Sequence, residues 1–185
     1  MRNPARPPAG TVTPRPTPHP LESKTLGTML HMTIPPREPL LTPWLREGDS
    51  AMIYAPTGAG KSIFTLALAL TIAGGGSFLD WKAPKPHKVL FIDGEMPEAD
   101  IIDRARMLLP SIDGCDPAKA RDNLHFLVRQ AQHLDSRFSD LTTEAGQEET
   151  LRRALDGGFD LLILDNFSTL VECDDENAAS SFNGV

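Results

Sequence analysis

Ser50-Ala-Met-Ile-Tyr54, then Ala55-Pro56-Thr57-Gly58-Ala59-Gly60-Lys61-Ser62, then IFTLALALTIA over residues 63–73: this continuous stretch decides the fold. The short apolar run at 50–54 suits a buried strand. The run at 63–73 is apolar almost all round and rich in Ala and Leu, as in a helix packed on every side. Gly74-Gly75-Gly76 ends it, the first or middle glycine supplying a left-handed C-cap. The loop between fits GxxxxGK[ST], except that Ala55, a small residue leaving a strand, replaces the first glycine. Gly58 and Gly60 allow successive backbone N–H groups to curl round phosphate oxygens without Cβ clashes. The helix start adds its positive dipole end. Lys61 is suited to reach the β- and γ-phosphates, and the Ser62 hydroxyl to ligate Mg²⁺. A glycine-rich turn with an incidental Lys-Ser has the same bare pattern. The position between an apolar strand and an apolar helix favours the phosphate loop.

Further along, Val89-Leu-Phe-Ile92 reads as a second buried strand, followed by Asp93-Gly94-Glu95-Met96-Pro97. Pro97 suits the first turn of a helix. Glu98 and Asp100 near that helix's start, and Arg104 and Arg106 later, agree with its dipole. Ile101, Ile102, Ala105, Leu108 and Leu109 share one helical face, and Pro110 stops the helix. Leu124-His-Phe-Leu-Val128 is a third strand. Residues 147–156 read as a short helix using Leu151, Ala154 and Leu155, closed by Gly157-Gly158. Leu161-Leu-Ile-Leu164 is a fourth strand that ends at Asp165. Strands that are continuous apolar runs, alternating with helices, predict an α/β fold with a mostly parallel sheet covered on both faces. Right-handed crossovers then gather the strand C-termini on one edge, where ligands bind.

That edge needs a second carboxylate to hold the Mg²⁺ water shell, and Asp165, 104 residues after Lys61, supplies it. Hydrolysis needs a group that orients water. The position after Asp165 is Asn166, an amide that cannot act as a base. Glu95 is the candidate, with two alternatives open: Glu95 as a helix-entry acid, or Asp93 in its place. Asn166 and Ser168 read either as contacts to water or γ-phosphate, or as solvent-facing loop residues.

Composition sets outer limits. The 185 residues carry 18 Lys+Arg against 25 Asp+Glu, a net charge of −7, which argues against gripping nucleic acid through overall charge. No run approaches the roughly 20 apolar residues of a membrane span. Eleven of the 17 prolines lie in the first 43 residues, and residues 1–20 hold three arginines and no acid. Residues 1–22 therefore read as a disordered, polyproline-prone tail, without the apolar core of a secretory signal. Residues 23–39 read as a linker and 40–185 as the globular domain. Cys115 and Cys173 form no CxxC pair, so a reducing cytoplasm is the expected setting. The five histidines show no zinc-ligand spacing.

The strings at 55–62, 91–97 (FIDGEMP) and 161–170 (LLILDNFSTL), with Asp175-Glu176-Asn177 beyond, resemble RecA-like ATPases of the RepA type. These are AAA-family ATPases of plasmids, phages and other mobile elements, hexameric replicative DNA helicases among them. The resemblance covers about residues 40–180. It implies a RecA-like P-loop NTPase fold. It implies that Lys61 and Ser62 hold phosphate and Mg²⁺, that Glu95 activates water and that Asp165 is the second acid at the metal. It further implies ATP as substrate, a homo-oligomer, a hexamer when full length, and single-stranded DNA as a partner. The family continues after its Asp165 equivalent with a helix, a further core strand, a sensor residue and an arginine finger. With 20 residues remaining, and residues 174–181 reading as a helix start, the expectation is a core incomplete at its C-terminal end. Two other classes share the site: a nucleotide-binding regulatory or assembly module without useful turnover, and a RecA-like recombination or repair ATPase.

Overall fold

A computed structural model describes residues 21–133, 136 and 138–171. Most of the tail and the motif at 175–177 lie outside the described residues, as does the helix start at 174–181. The chain divides into two compact units between Pro36 and Arg37. Within the first, α1 (Leu26–Leu30) is a single exposed turn whose N-cap Thr25 side chain accepts from the Thr28 N–H.

The second unit opens with a hairpin of β1 (Pro39–Leu41) and β2 (Leu45–Arg46). Next comes α2 (Lys61–Gly74), which is buried continuously from Thr65 onward, as its all-round apolar sequence requires. Its polar members are satisfied internally: Thr71 Oγ1 donates to the Ala67 carbonyl at 2.7 Å. Gly75 ends the helix at φ 70° and ψ 172°, a positive-φ conformation that favours glycine but lies outside the left-handed helical region expected of the cap. A second hairpin, β3 (Gly76–Phe78) with β4 (Trp81–Ala83), turns through Leu79 at φ 54°. Trp44, Phe64, Phe78 and Trp81 join both hairpins to α2 through rings 5.5–6.1 Å apart.

The main sheet comprises β5 (Val89–Asp93), β6 (Leu124–Val128) and β7 (Leu161–Asp165), in the order β6-β5-β7, all parallel. Between β5 and β6 run α3 (Glu98–Leu108) and α4 (Pro117–Asn123). Between β6 and β7 runs α5 (Glu144–Asp156), and α6 (Phe167–Leu170) follows β7. Strand residues alternate between two apolar layers. Val89, Phe91, Leu161 and Ile163 pack with α2, whereas Leu90, Ile92, Leu162 and Leu164 pack with Ala154, Phe138 and Leu170. Both faces of the central strand β5 are thus covered, in keeping with its unbroken apolar run, whereas β6 exposes His125 and Phe126 and β7 is half-buried up to Asp165. Gly74 permits α4 to lie against α2, because a Cβ there would collide with Cys115 Sγ. The Asn123 side chain then donates to the Ala73 carbonyl at 2.9 Å, satisfying an end-of-helix acceptor. Among the described residues no helix is long and apolar enough to cross a membrane.

Three expectations are corrected. Residues 50–54 are not a strand; Met52 and Tyr54 are 83% and 89% exposed. A strand exists only by pairing, and among the described residues, 50–54 pair with no strand, the main sheet being β6-β5-β7 with β7 at its edge. Leu151 and Leu155 do not pack, being 57% and 78% exposed. Gly146, Thr150 and Ala154, four residues apart, face inward instead. Thr143 caps α5 through the Gly146 N–H, and Gly146 lies so near the Asp140 carbonyl that no Cβ fits. That close approach fixes the helix's rotation. Ile102 likewise turns outward, leaving Ile101 as the buried anchor of α3.

The contrast between Phe91 and Leu155 is measurable. Phe91→Ala is expected to lower unfolding stability by about 3–5 kcal/mol, and Leu155→Ala to stay within about 0.5 kcal/mol. Urea denaturation of both variants checks this, and comparable losses would contradict the orientation given to α5.

Candidate functional site

The β5–β7 pairing runs in level register, Val89 opposite Leu161 and Asp93 opposite Asp165. Both carboxylates therefore leave the sheet at the same height. The Gly94 N–H donates to the Asp165 carbonyl at 2.9 Å, tying the two strand ends. Gly94 must be glycine for this: a Cβ would strike Thr169 Oγ1 and the Leu170 side chain.

The loop 55–60 reaches the same edge. Gly58 and Gly60 sit at φ 81° and 86°, conformations that side chains resist, and Gly60 is the N-cap of α2. Lys61 Nζ folds back over its own loop, donating to the carbonyls of Ala55 at 2.7 Å and Pro56 at 3.0 Å. Ala59 N–H donates to the Pro56 carbonyl at 3.2 Å, which tightens the turn. Pro56, Thr57, Gly58, Ala59 and Gly60 are exposed, with Ala55, Lys61 and Ser62 half-buried.

Asp165 is buried, with 7% of its surface exposed, and its Oδ2 atom has no hydrogen-bond partner. Burial raises its pKa above the ordinary carboxylate value, and the negative charges of Asp93 and Glu95 push the same way. The Ser62 side chain and the Lys61 charge oppose them. Ser62, Asp93, Glu95 and Lys61 thus all bear on the Asp165 carboxylate. A buried carboxylate oxygen lacking a donor, beside a serine hydroxyl, suits a hard divalent cation such as Mg²⁺. Among the described residues no group of three or more His, Cys, Asp and Glu forms a metal cage.

Asp93 has a different task from Glu95. It is 1% exposed, and its Oδ1 accepts from the N–H groups of Glu95 at 2.9 Å and Met96 at 2.6 Å. It shapes the turn that presents Glu95, whose own side chain is exposed. Glu95 Oε2 accepts from Asn166 Nδ2 at 2.6 Å. The Glu95 carbonyl accepts from the Gln130 side chain, which arrives from just beyond β6. Arg129 Nη1 donates to the Thr169 carbonyl at 2.8 Å. The sequence reading missed Gln130, Arg129 and the role of Gly94. The convergence of parallel strand ends was the available signal, since Gln130 lies two residues past Val128, the β6 partner of Asp93.

A parallel sheet, a glycine loop leading into a buried helix, and an acid at each of two adjacent strand ends fit a P-loop NTPase. The family model of the AAA domain matches residues 15–185. The chain belongs to that family. An AAA domain implies nucleotide binding and ATPase activity. No curated protein matches the chain in sequence.

The raised pKa of Asp165 carries a signed consequence. The folded state favours the protonated form, so this stabilisation is complete below the ordinary carboxylate pKa and is lost as pH rises through the raised value. Asp165→Asn, neutral at all pH, is expected to raise the Tm of the nucleotide-free chain at about pH 7 and to alter it little below about pH 4. Thermal unfolding at both pH values checks this, and a lower Tm at neutral pH would contradict it.

Proposed function

We propose that this AAA domain binds and hydrolyses Mg-ATP at the β5–β7 strand ends. Ala55, Pro56, Thr57, Gly58, Ala59, Gly60, Lys61 and Ser62 form the nucleotide cradle. The observation that carries the reading is that Ser62, Lys61 and Glu95 all bear on the buried Asp165 carboxylate, one oxygen of which has no partner. Lys61 exchanges the neutral carbonyls of Ala55 and Pro56 for the anionic β- and γ-phosphate oxygens, a stronger, charge-assisted contact. Backbone N–H groups at the start of α2 add donors aligned with its dipole. Ser62 and Asp165 hold Mg²⁺. When bound, the ion neutralises phosphate charge and fixes the phosphate geometry. Glu95, exposed at the strand end, accepts the proton of the attacking water, while Asp93 keeps its loop in place.

The finer reading is a RecA-like ATPase of the plasmid or phage replicative-helicase type. In it, residues 40–185 form the ATPase domain behind a 1–22 tail and a 23–39 linker. The protein works as a homo-oligomer on single-stranded DNA. Support comes from the FIDGEMP and LLILDNFSTL strings, which carry the resemblance.

Glu95→Gln is expected to retain ATP binding and lose at least about 100-fold in turnover. Lys61→Ala is expected to weaken ATP binding by at least about tenfold, or 1.4 kcal/mol. Steady-state phosphate release and calorimetric titration check these, and undiminished turnover in Glu95→Gln would remove Glu95 as the base. For the finer reading, phosphate release should rise when single-stranded DNA is added; a rate indifferent to DNA argues for another AAA-domain task.

A further inference from the structure

We infer that Asn166 is a positioning residue that fixes the Glu95 carboxylate at the strand ends. The inference rests on the reading of Glu95 as the water-activating group. Asn166 N-caps α6, its Oδ1 accepting from the Thr169 N–H at 2.9 Å and from Ser168 Oγ at 2.6 Å. Both donors claim the amide oxygen, so the amide nitrogen must face the other way. There Nδ2 donates to Glu95 Oε2 at 2.6 Å. The reversed amide would set its oxygen against the Glu95 carboxylate and its NH₂ against the Thr169 N–H, so the network itself selects the orientation.

Glu95 needs such a partner. Its backbone is held on both sides, the N–H by Asp93 Oδ1 and the carbonyl by the Gln130 side chain. Its side chain is exposed, and a Glu on a loop samples many rotamers. Catalytic groups must be held within about 0.5 Å of their working geometry. A carboxylate at position 166 would repel both Glu95 and Asp165. A hydroxyl would cap α6 without reaching Glu95 as a fixed N–H donor. Asn combines a strong N-cap acceptor with a donor aimed the opposite way. The amide thereby links the start of α6 to the proposed base across the two strand ends.

Two substitutions separate this role from simple capping. Asn166→Ser keeps an N-cap and removes the donor. Asn166→Asp keeps the cap and the shape but presents only acceptors to Glu95. Both are expected to lower kcat by about 10- to 100-fold, Asn166→Asp the more, since a 1 Å misplacement can cost about 100-fold. The Kd for Mg-ATP should stay within about twofold of the unaltered chain. In a Glu95→Gln background neither should lower kcat further, because both changes act through one group. If Glu95→Gln is inactive while both Asn166 variants keep kcat within about twofold, the positioning role is wrong and the base assignment stands. If Glu95→Gln retains full turnover, the base assignment fails and this inference falls with it. Should the 166 variants not fold, Ser168→Ala, which removes one of the two donors orienting the amide, decides: a lowered kcat at unchanged Kd supports the role, and an unchanged kcat overturns it.

Discussion

The candidate site depends on the level register of β5 against β7. Because Asp93 stands opposite Asp165, the loops after both strands start at the same height, and the Gly94 N–H can close onto the Asp165 carbonyl. A slip of one residue would send every strand side chain to the opposite face. The two apolar layers, Val89 and Phe91 toward α2 and Leu90 and Ile92 away from it, make that slip prohibitive. Core packing thus sets the position of the polar edge, and the candidate site's side chains inherit their spacing from the buried residues of β5.

That edge concentrates negative charge. Asp93 and Glu95 both act on Asp165 across two strand ends, and Asp165 is desolvated besides. The fold tolerates this by giving each acid a separate answer. Asp93 is satisfied by the backbone N–H groups of its own turn, Glu95 by the Asn166 amide, and Asp165 only in part by Ser62 and Lys61. The remaining deficit at Asp165 Oδ2 is what a divalent cation offsets in the proposed reading. Lys61 is held meanwhile on the Ala55 and Pro56 carbonyls.

Much of this arrangement was legible in the sequence because it is written in local patterns. The runs at 63–73, 89–92, 124–128 and 161–164 announced a buried helix and parallel strands, and the structure has them. Glycine at 58, 60 and 75 announced backbone at positive φ. Non-local facts were less visible. Whether residues 50–54 pair depends on a neighbouring strand, which no property of that run specifies. The inward face of α5 is set by one close approach, Gly146 to Asp140, so the leucines misled. The bond from Asn166 to Glu95 joins residues 71 positions apart, and only the register brings them together. Asn166 read as an amide unable to act as a base, while its bearing on the base required the strand ends to be placed.

The central claim is that three segments distant in sequence form one nucleotide site. Hydrogen exchange followed by mass spectrometry, with and without Mg-ATP, tests it most directly. Bound nucleotide is expected to slow exchange together in residues 56–62, 93–96 and 165–169. Protection confined to 56–62, or to segments away from this edge, would contradict the account.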